Sequence, residues 1–371
     1  MEARLYTSYS DKTLIADLGG SMSSGKFGSR IHGGWDQCEI TINGLYQELF
    51  QFLRTESQPG RFFHHLEITE GPAIRWEGRL MSARLQTQVG ALSQSVLWSR
   101  NKGTYYDGSS TGSERSNTDW PTTWPTRDMT VVVPSGTTAG RANNAVDRML
   151  IDRVKPQVTA RLGLGKSSPT GSLNLSFLGY WSSGHDQKVA TIDYSSGTHT
   201  VDSIIKAILT AECPDISSDQ TQIDAVAGNI NMTLAARTYA NDQIKTLANI
   251  GDSSGNSYFF GLYDNRIPVL TQIAPTVVDW DLDMFTGASY PVSNRAKMRG
   301  GGLGSIRSQE VVRLNGLIGG PDVVPTAQSI TTFVVFQSTY DMMRGTLDLV
   351  PDAPANTVSV LLARQGVEPT S

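Results

Sequence analysis

The segment Ile74-Arg75-Trp76-Glu77-Gly78-Arg79-Leu80 alternates apolar with polar side chains. Successive side chains of a strand point to opposite faces, so this period of two predicts a strand with one buried face. The same period recurs in Leu66-Glu67-Ile68-Thr69 and in Cys38-Glu39-Ile40-Thr41-Ile42. Gly19-Gly20, Gly33-Gly34, Pro59-Gly60 and Gly71-Pro72 read as the turns between such strands. Short strands at this spacing predict a barrel or sandwich over residues 1–107. Leu45, Leu49, Phe50, Phe52 and Leu53 fit a short amphipathic helix within it.

Composition points the same way. The chain has 371 residues, enough for two or three domains. Only 18% of them are charged and 36 are Gly, against about 25% charged in an average soluble protein. Few charges with much Gly, Ser and Thr suit strands and turns better than a helical bundle. Without a run of about 18 apolar residues, no membrane-spanning helix is expected. Met1-Glu2-Ala3-Arg4 leads into no apolar stretch, so no secretory leader is expected. Cys38 and Cys213 are too far apart and too few for a zinc cluster or a disulfide scaffold. Both read as buried thiols of a chain made in a reducing compartment. The net charge of -4, with no basic block, argues against tight phosphate binding.

Beyond residue 107 the pattern changes. Residues 108–128 form a Ser/Thr/Trp-rich insert in which Trp120 and Trp124 each precede a proline. Two such rings either pack back on their own domain or dock on a neighbouring subunit. Residues 129–199 read as a helix plus β connecting region. Ala142, Ala145, Val146, Met149 and Leu150 give a helix over 138–154 that Pro156 stops, and Leu173-Asn174-Leu175-Ser176-Phe177-Leu178 gives a strand. Residues 200–273 form an α+β module. Val201, Ile204, Ile205, Ile208 and Leu209 make one helical stripe. A second helix starts at Asn241 or Asp242, carries Ile244, Leu247 and Ala248, and ends at Gly251. Residues 258–270 then read as a hairpin turning at Asp264-Asn265. Residues 274–371 return to β, with strand-like 277–281, a flexible or tightly turned Gly-rich segment at 300–304, apolar runs at 331–337 and 358–362, and a short helix at 339–347. The fold class expected is mainly β with an α+β insert.

Tests for chemistry find little. Ala160-Arg161-Leu162-Gly163-Leu164-Gly165-Lys166-Ser167 satisfies a loose phosphate-loop pattern. A helix must begin there to cradle phosphates, and Pro169 and Gly171 follow instead, so a Gly-rich turn is the better reading. The histidines at 32, 64, 65, 185 and 199 are scattered, and His64-His65-Leu66-Glu67 lacks the spacing that puts two imidazoles on one helical face. Asp279, Asp281 and Asp283 share a strand face. One strand cannot flank a sugar on both sides, so a solvated face is expected over a glycosidase pair. No catalytic, cofactor or metal residue is assigned, no cofactor is expected, and the chain is not expected to be an enzyme.

Three stretches together resemble the late control D-like family of bacteriophage tail-hub proteins. They are Gly33-Gly34-Trp35-Asp36-Gln37-Cys38-Glu39-Ile40-Thr41-Ile42, the strand Trp76-Glu77-Gly78-Arg79-Leu80, and the run from Thr200 to Leu270 with its two helices and aromatic hairpin. Gly179-Tyr180-Trp181 closing a strand before that run also fits. The resemblance covers most of the chain as an order of elements. It implies two tail-tube-like β-barrel domains, the first within residues 1–107 and the second in the C-terminal third, and a trimer whose six barrels imitate a ring of the tube. It departs from the family at 108–128 and is poorest in the C-terminal third. The function implied is a virion structural protein made in the host cytoplasm. It would be a tail-tip or baseplate hub, joining tube to tip and conducting DNA without sequence-specific binding. Its partners would be its own copies and other tube, distal-tail and tip proteins. Alternatives are a distal-tail or tube ring protein, a tail-tip cell-wall or polysaccharide hydrolase, and a carbohydrate-binding module stacking sugars on Trp120 and Trp124.

Overall fold

The computed structural model describes residues 1–54, 62–163, 169–186, 188–189, 192–234, 238–272, 277–283, 288–300, 302–315 and 332–351. The first half of the chain forms strands β1 (Glu2–Tyr6), β2 (Leu14–Asp17), β3 (Met22–Arg30), β4 (Gly33–Leu45), β5 (His65–Glu70), β6 (Ala73–Thr87), β7 (Gly90–Ser95), β8 (Lys102–Tyr106), β9 (Arg115–Ser116) and β10 (Asp128–Val132), with helix α1 (Tyr46–Arg54) after β4. Helix α2 (Ala139–Arg153) precedes β11 (Gln157–Leu162) and β12 (Thr170–Gly179). The module follows as β13 (Ile192–Tyr194), α3 (Val201–Glu212), β14 (Met232–Leu234), α4 (Ala240–Ile250), β15 (Tyr258–Tyr263) and β16 (Ile267–Gln272). The chain ends in β17 (Trp280–Asp283), β18 (Ser289–Pro291), α5 (Asn294–Lys297), β19 (Val311–Asn315), β20 (Thr332–Asp341) and β21 (Thr346–Pro351).

The molecule is mainly β, and its principal sheet curls part of the way round into a barrel. That sheet runs β18-β17-β19-β20-β3-β4-β12-β6-β5-β1-β2. Its centre holds the alternating segments of the sequence. Cys38, Ile40 and Ile42 on β4, Leu80 and Leu85 on β6, and Leu173, Leu175 and Phe177 on β12 face one apolar core, closed by Leu49 and Leu53 of α1. The late strand β12 lies between β4 and β6, with Phe177 opposite Cys38 on one side and Leu80 on the other.

Two glycines mark places where backbones come close. Gly34 sits at φ +78°, and a Cβ there would lie 2.3 Å from the carbonyl oxygen of Leu262. It is where β15 comes alongside β4 in parallel register. On β6, a Cβ at Gly78 would stand 2.3 Å from the carbonyl oxygen of Leu178. Both sites need the close backbone approach that only glycine permits.

The module has its own core, built from Ile204, Ile205 and Ile208 of α3, Ile244 and Leu247 of α4, and Phe260 and Leu262 of β15. Helix α3 starts where expected: the Ser203 hydroxyl accepts from the Thr200 amide at 3.0 Å and donates to the Thr200 carbonyl at 2.7 Å. Helix α4 ends at Gly251, φ +69°. Helix α2 packs Ala142, Val146 and Leu150 against Met129 and Val131 of β10. The parallel pairing of β10 with β8 was not read from the sequence.

One expectation fails outright. Residues 339–347 are not helical. Strand β20 turns at Met342-Met343-Arg344-Gly345 into β21, with Tyr340 opposite Leu347. Asp341 accepts from the Met343 and Arg344 amides at 3.1 Å each, and Gly345 takes φ +65°. Side-chain hydrogen bonding to the following backbone favours this turn over a helix. The apolar run at 358–362 lies outside the described residues.

Candidate functional site

The distinctive polar feature lies where the principal sheet meets the module. On β5, Leu66 and Ile68 point into the sheet core, so the period of two sends His65 and Glu67 to the opposite face. Glu77 of β6 stands directly across from Glu67 in the antiparallel register. All three side chains are buried. Like charges facing each other across a pair of strands repel, and burial strengthens the repulsion, so a proton or a cation must separate them.

Three separate segments cover these side chains. Tyr180 follows β12, and its hydroxyl lies 2.9 Å from Nδ1 of His65, while Nε2 of His65 lies 2.9 Å from Oε1 of Glu67. At the β15–β16 turn, Asn265 and Arg266 both take φ +60°, and this aims the Arg266 amide at Oε1 of Glu77, 2.6 Å away. The Arg266 guanidinium lies 3.3 Å from the centre of the Tyr9 ring. Lys12, half exposed, closes the edge with Nζ 2.5 Å from Oε1 of Glu67.

These surroundings split the two carboxyls. Burial pushes Glu77 up to about 8, against the pull of the Arg266 amide and guanidinium. Burial opposes ionisation of Glu67 as well, but the hydrogen bonds from His65 and Lys12 outweigh it and hold Glu67 down at about 2. Burial lowers His65, so its imidazole is neutral near pH 7. Beside the cluster runs an ion-paired chain. Nη1 of Arg79 lies 2.8 Å from Asp186 and 3.0 Å from Asp215, and Nε of Arg127 lies 2.6 Å from Asp186. Arg79 thereby links β6 to the segments on either side of α3. A cleft of about 660 Å³, lined by Tyr9, Phe63, Arg79, Trp124, Tyr180 and Asp215, opens onto this junction.

The residues weighed from the sequence go elsewhere. Trp120 and Trp124 are buried against each other and against Phe62 and Phe63, so they pack on their own domain. Asp279, expected on a solvated face, is buried. It accepts from the Ser293 hydroxyl at 2.6 Å, from the Val311 amide at 2.9 Å and from Arg295 at 2.7 Å. Asp281 pairs with Arg313. The carboxylates near Trp280 are therefore tied into the C-terminal strands. In the phosphate-loop match, Ala160-Arg161-Leu162 belongs to β11, while 164–168 lie outside the described residues. His32 stacks on Phe259 and bonds Asn249, His185 lies beside Asn241 and Tyr239, and His199 reaches the Ser196 carbonyl. Cys38 and Cys213 are buried thiols, which burial pushes up, Cys213 to about 12.

The sequence reading missed His65, Glu67 and Glu77 because it tested histidines against helical spacing. His-x-Glu on a strand puts both side chains on one face, and that signal was present. The third member depended on strand register, which is not written locally.

No family model matches the chain, and no curated protein does. Among solved structures, it is similar to the 43 kDa tail protein of prophage MuSo2 from Shewanella oneidensis. Identity is 7%, 92% of this chain and 93% of that chain are covered, and the TM-score is 0.42. It is also similar to the tail protein from Neisseria meningitidis MC58, with 9% identity, 95% and 96% coverage and a TM-score of 0.43. No helix among the described residues is long and apolar enough to cross a membrane.

Proposed function

We propose that this chain is a structural protein of a bacteriophage tail, placed at the tail tip as a hub between tube and tip. The observation that carries the reading is where the three family-like stretches meet. Gly33 and Gly34 of β4 pair with Gly261 and Leu262 of the module hairpin. Glu77, from Trp76-Glu77-Gly78, accepts from Arg266 at the turn of that same hairpin. Motifs far apart in sequence thus build one joint, as expected if their shared order reflects a shared architecture. On this reading residues 1–107 contribute the first tube-like barrel, residues 274–371 the second, and 200–273 the module between them. The chain acts by assembly, without bond chemistry, on its own copies and on neighbouring tail proteins. An acidic balance favours a lumen that DNA passes without sticking.

The test is particle symmetry, measured by electron microscopy of the purified protein and of the native particle. Three-fold density at the tail tip is expected. Six-fold rings would replace the hub by a distal-tail or tube ring protein. Monomers alone, together with absence from tails, would sink both.

A further inference from the structure

We infer that His65, Glu67 and Glu77 form a buried site for one divalent transition-metal ion of the zinc class, on the face of the principal sheet that meets the module. The candidate ligand atoms, one from each residue, lie within 4.8 Å of one another. Small side-chain rotations bring such a set to the roughly 2.0–2.2 Å bonds that imidazole and carboxylate make to zinc. One nitrogen and two carboxylate oxygens suit zinc and its neighbours, whereas calcium and magnesium prefer all-oxygen sites.

A second observation points at a ligand. Glu77 is about 2% exposed. Its Oε1 takes the Arg266 amide, while Oε2 faces Nε2 of His65 at 4.0 Å, too long for a hydrogen bond. A buried carboxylate oxygen aimed across a gap at an imidazole nitrogen is placed as one ligand is placed opposite another around an ion.

The outer contacts fit as well. A metal on Nε2 requires the imidazole proton on Nδ1, where the Tyr180 hydroxyl stands ready to accept it at 2.9 Å. Two carboxylates and a neutral imidazole balance a double positive charge. Lys12 now supplies the counter-charge to Glu67, and its exposed stem lets it swing into water when a metal enters.

The experiment titrates Zn²⁺ alone into full-length protein stripped with a chelator, reading stoichiometry by calorimetry and elemental analysis. One ion per chain is expected, with a rise in thermal midpoint that grows with free Zn²⁺. Glu77→Gln and His65→Gln should each abolish stoichiometric uptake. Lys12→Ala should tighten it by about tenfold, equivalent to about 1.4 kcal/mol. A gain of affinity cannot come from misfolding, so this variant keeps the test valid if His65→Gln fails to fold. Absence of stoichiometric uptake by both wild type and Lys12→Ala would overturn the site. So would uptake that survives in folded Glu77→Gln. Metal uptake and particle symmetry are separate measurements, so either reading can fall without the other.

Discussion

At the residue scale, position in a strand decided more than residue type. His65 and Glu67 became neighbours through a period of two, and Glu77 joined them through register. Asp202 shows the converse, a residue whose role is local. It sits in the first turn of α3 and accepts from Thr200 Oγ1 at 2.7 Å, from Lys206 Nζ at 3.1 Å and from the Val226 amide at 3.1 Å. Burial opposes its ionisation, but these donors outweigh it and hold the carboxyl below its usual range. A depressed folded-state pKa contributes stability at pH values above the unfolded pKa of 3.8, and loses it as pH falls below that. Asp202→Asn should therefore lower the urea midpoint at neutral pH and flatten its fall in acid. An acid limb as steep in the variant as in the wild type would show that Asp202 is not a source of it.

At the element scale, the sequence was most readable where a segment carried its own period. The alternation in β4, β6 and β12 and the stripes of α2, α3 and α4 each follow from one buried face, and that face is decided locally. The hairpin at 339–347 was misread because Met342 and Met343 extend an apolar pattern that Asp341 and Gly345 interrupt. Strand β11 gave no clear signal, since every residue of it is exposed. It pairs only with β7, which leaves its other edge free among the described residues, and Val158 and Leu162 are 57% and 89% exposed. An unpaired edge carrying apolar side chains invites a neighbouring chain. On the tail reading, Val158→Asp with Leu162→Asp should leave the monomer folded and sharply reduce assembly in sedimentation velocity. Wild-type assembly by the double variant would remove β11 from the interface.

At the scale of the whole molecule, strands far apart in the chain share one sheet. Strand β20 pairs with β3, and the Ser29 and Ser338 hydroxyls meet at 2.8 Å in the interior. None of this was legible in advance, because pairing between distant segments depends on the completed fold. Deleting residues 332–371 should open the long edge of β3, so the truncated chain should aggregate. A soluble truncation with the wild-type near-ultraviolet circular dichroism would show that the N-terminal sheet does not need β20.

The placement of β12 also imposes an order in time. When β4 and β6 leave the ribosome, the strand that belongs between them has not been synthesised. Both present open edges while the insert and α2 are made. Sheet closure then requires a distant segment to thread between two waiting strands, the kind of non-local step that folds slowly and exposes intermediates to aggregation. A cell making this protein in quantity therefore needs chaperone capacity for the interval, and yield should depend on how quickly translation passes from β6 to Gly179.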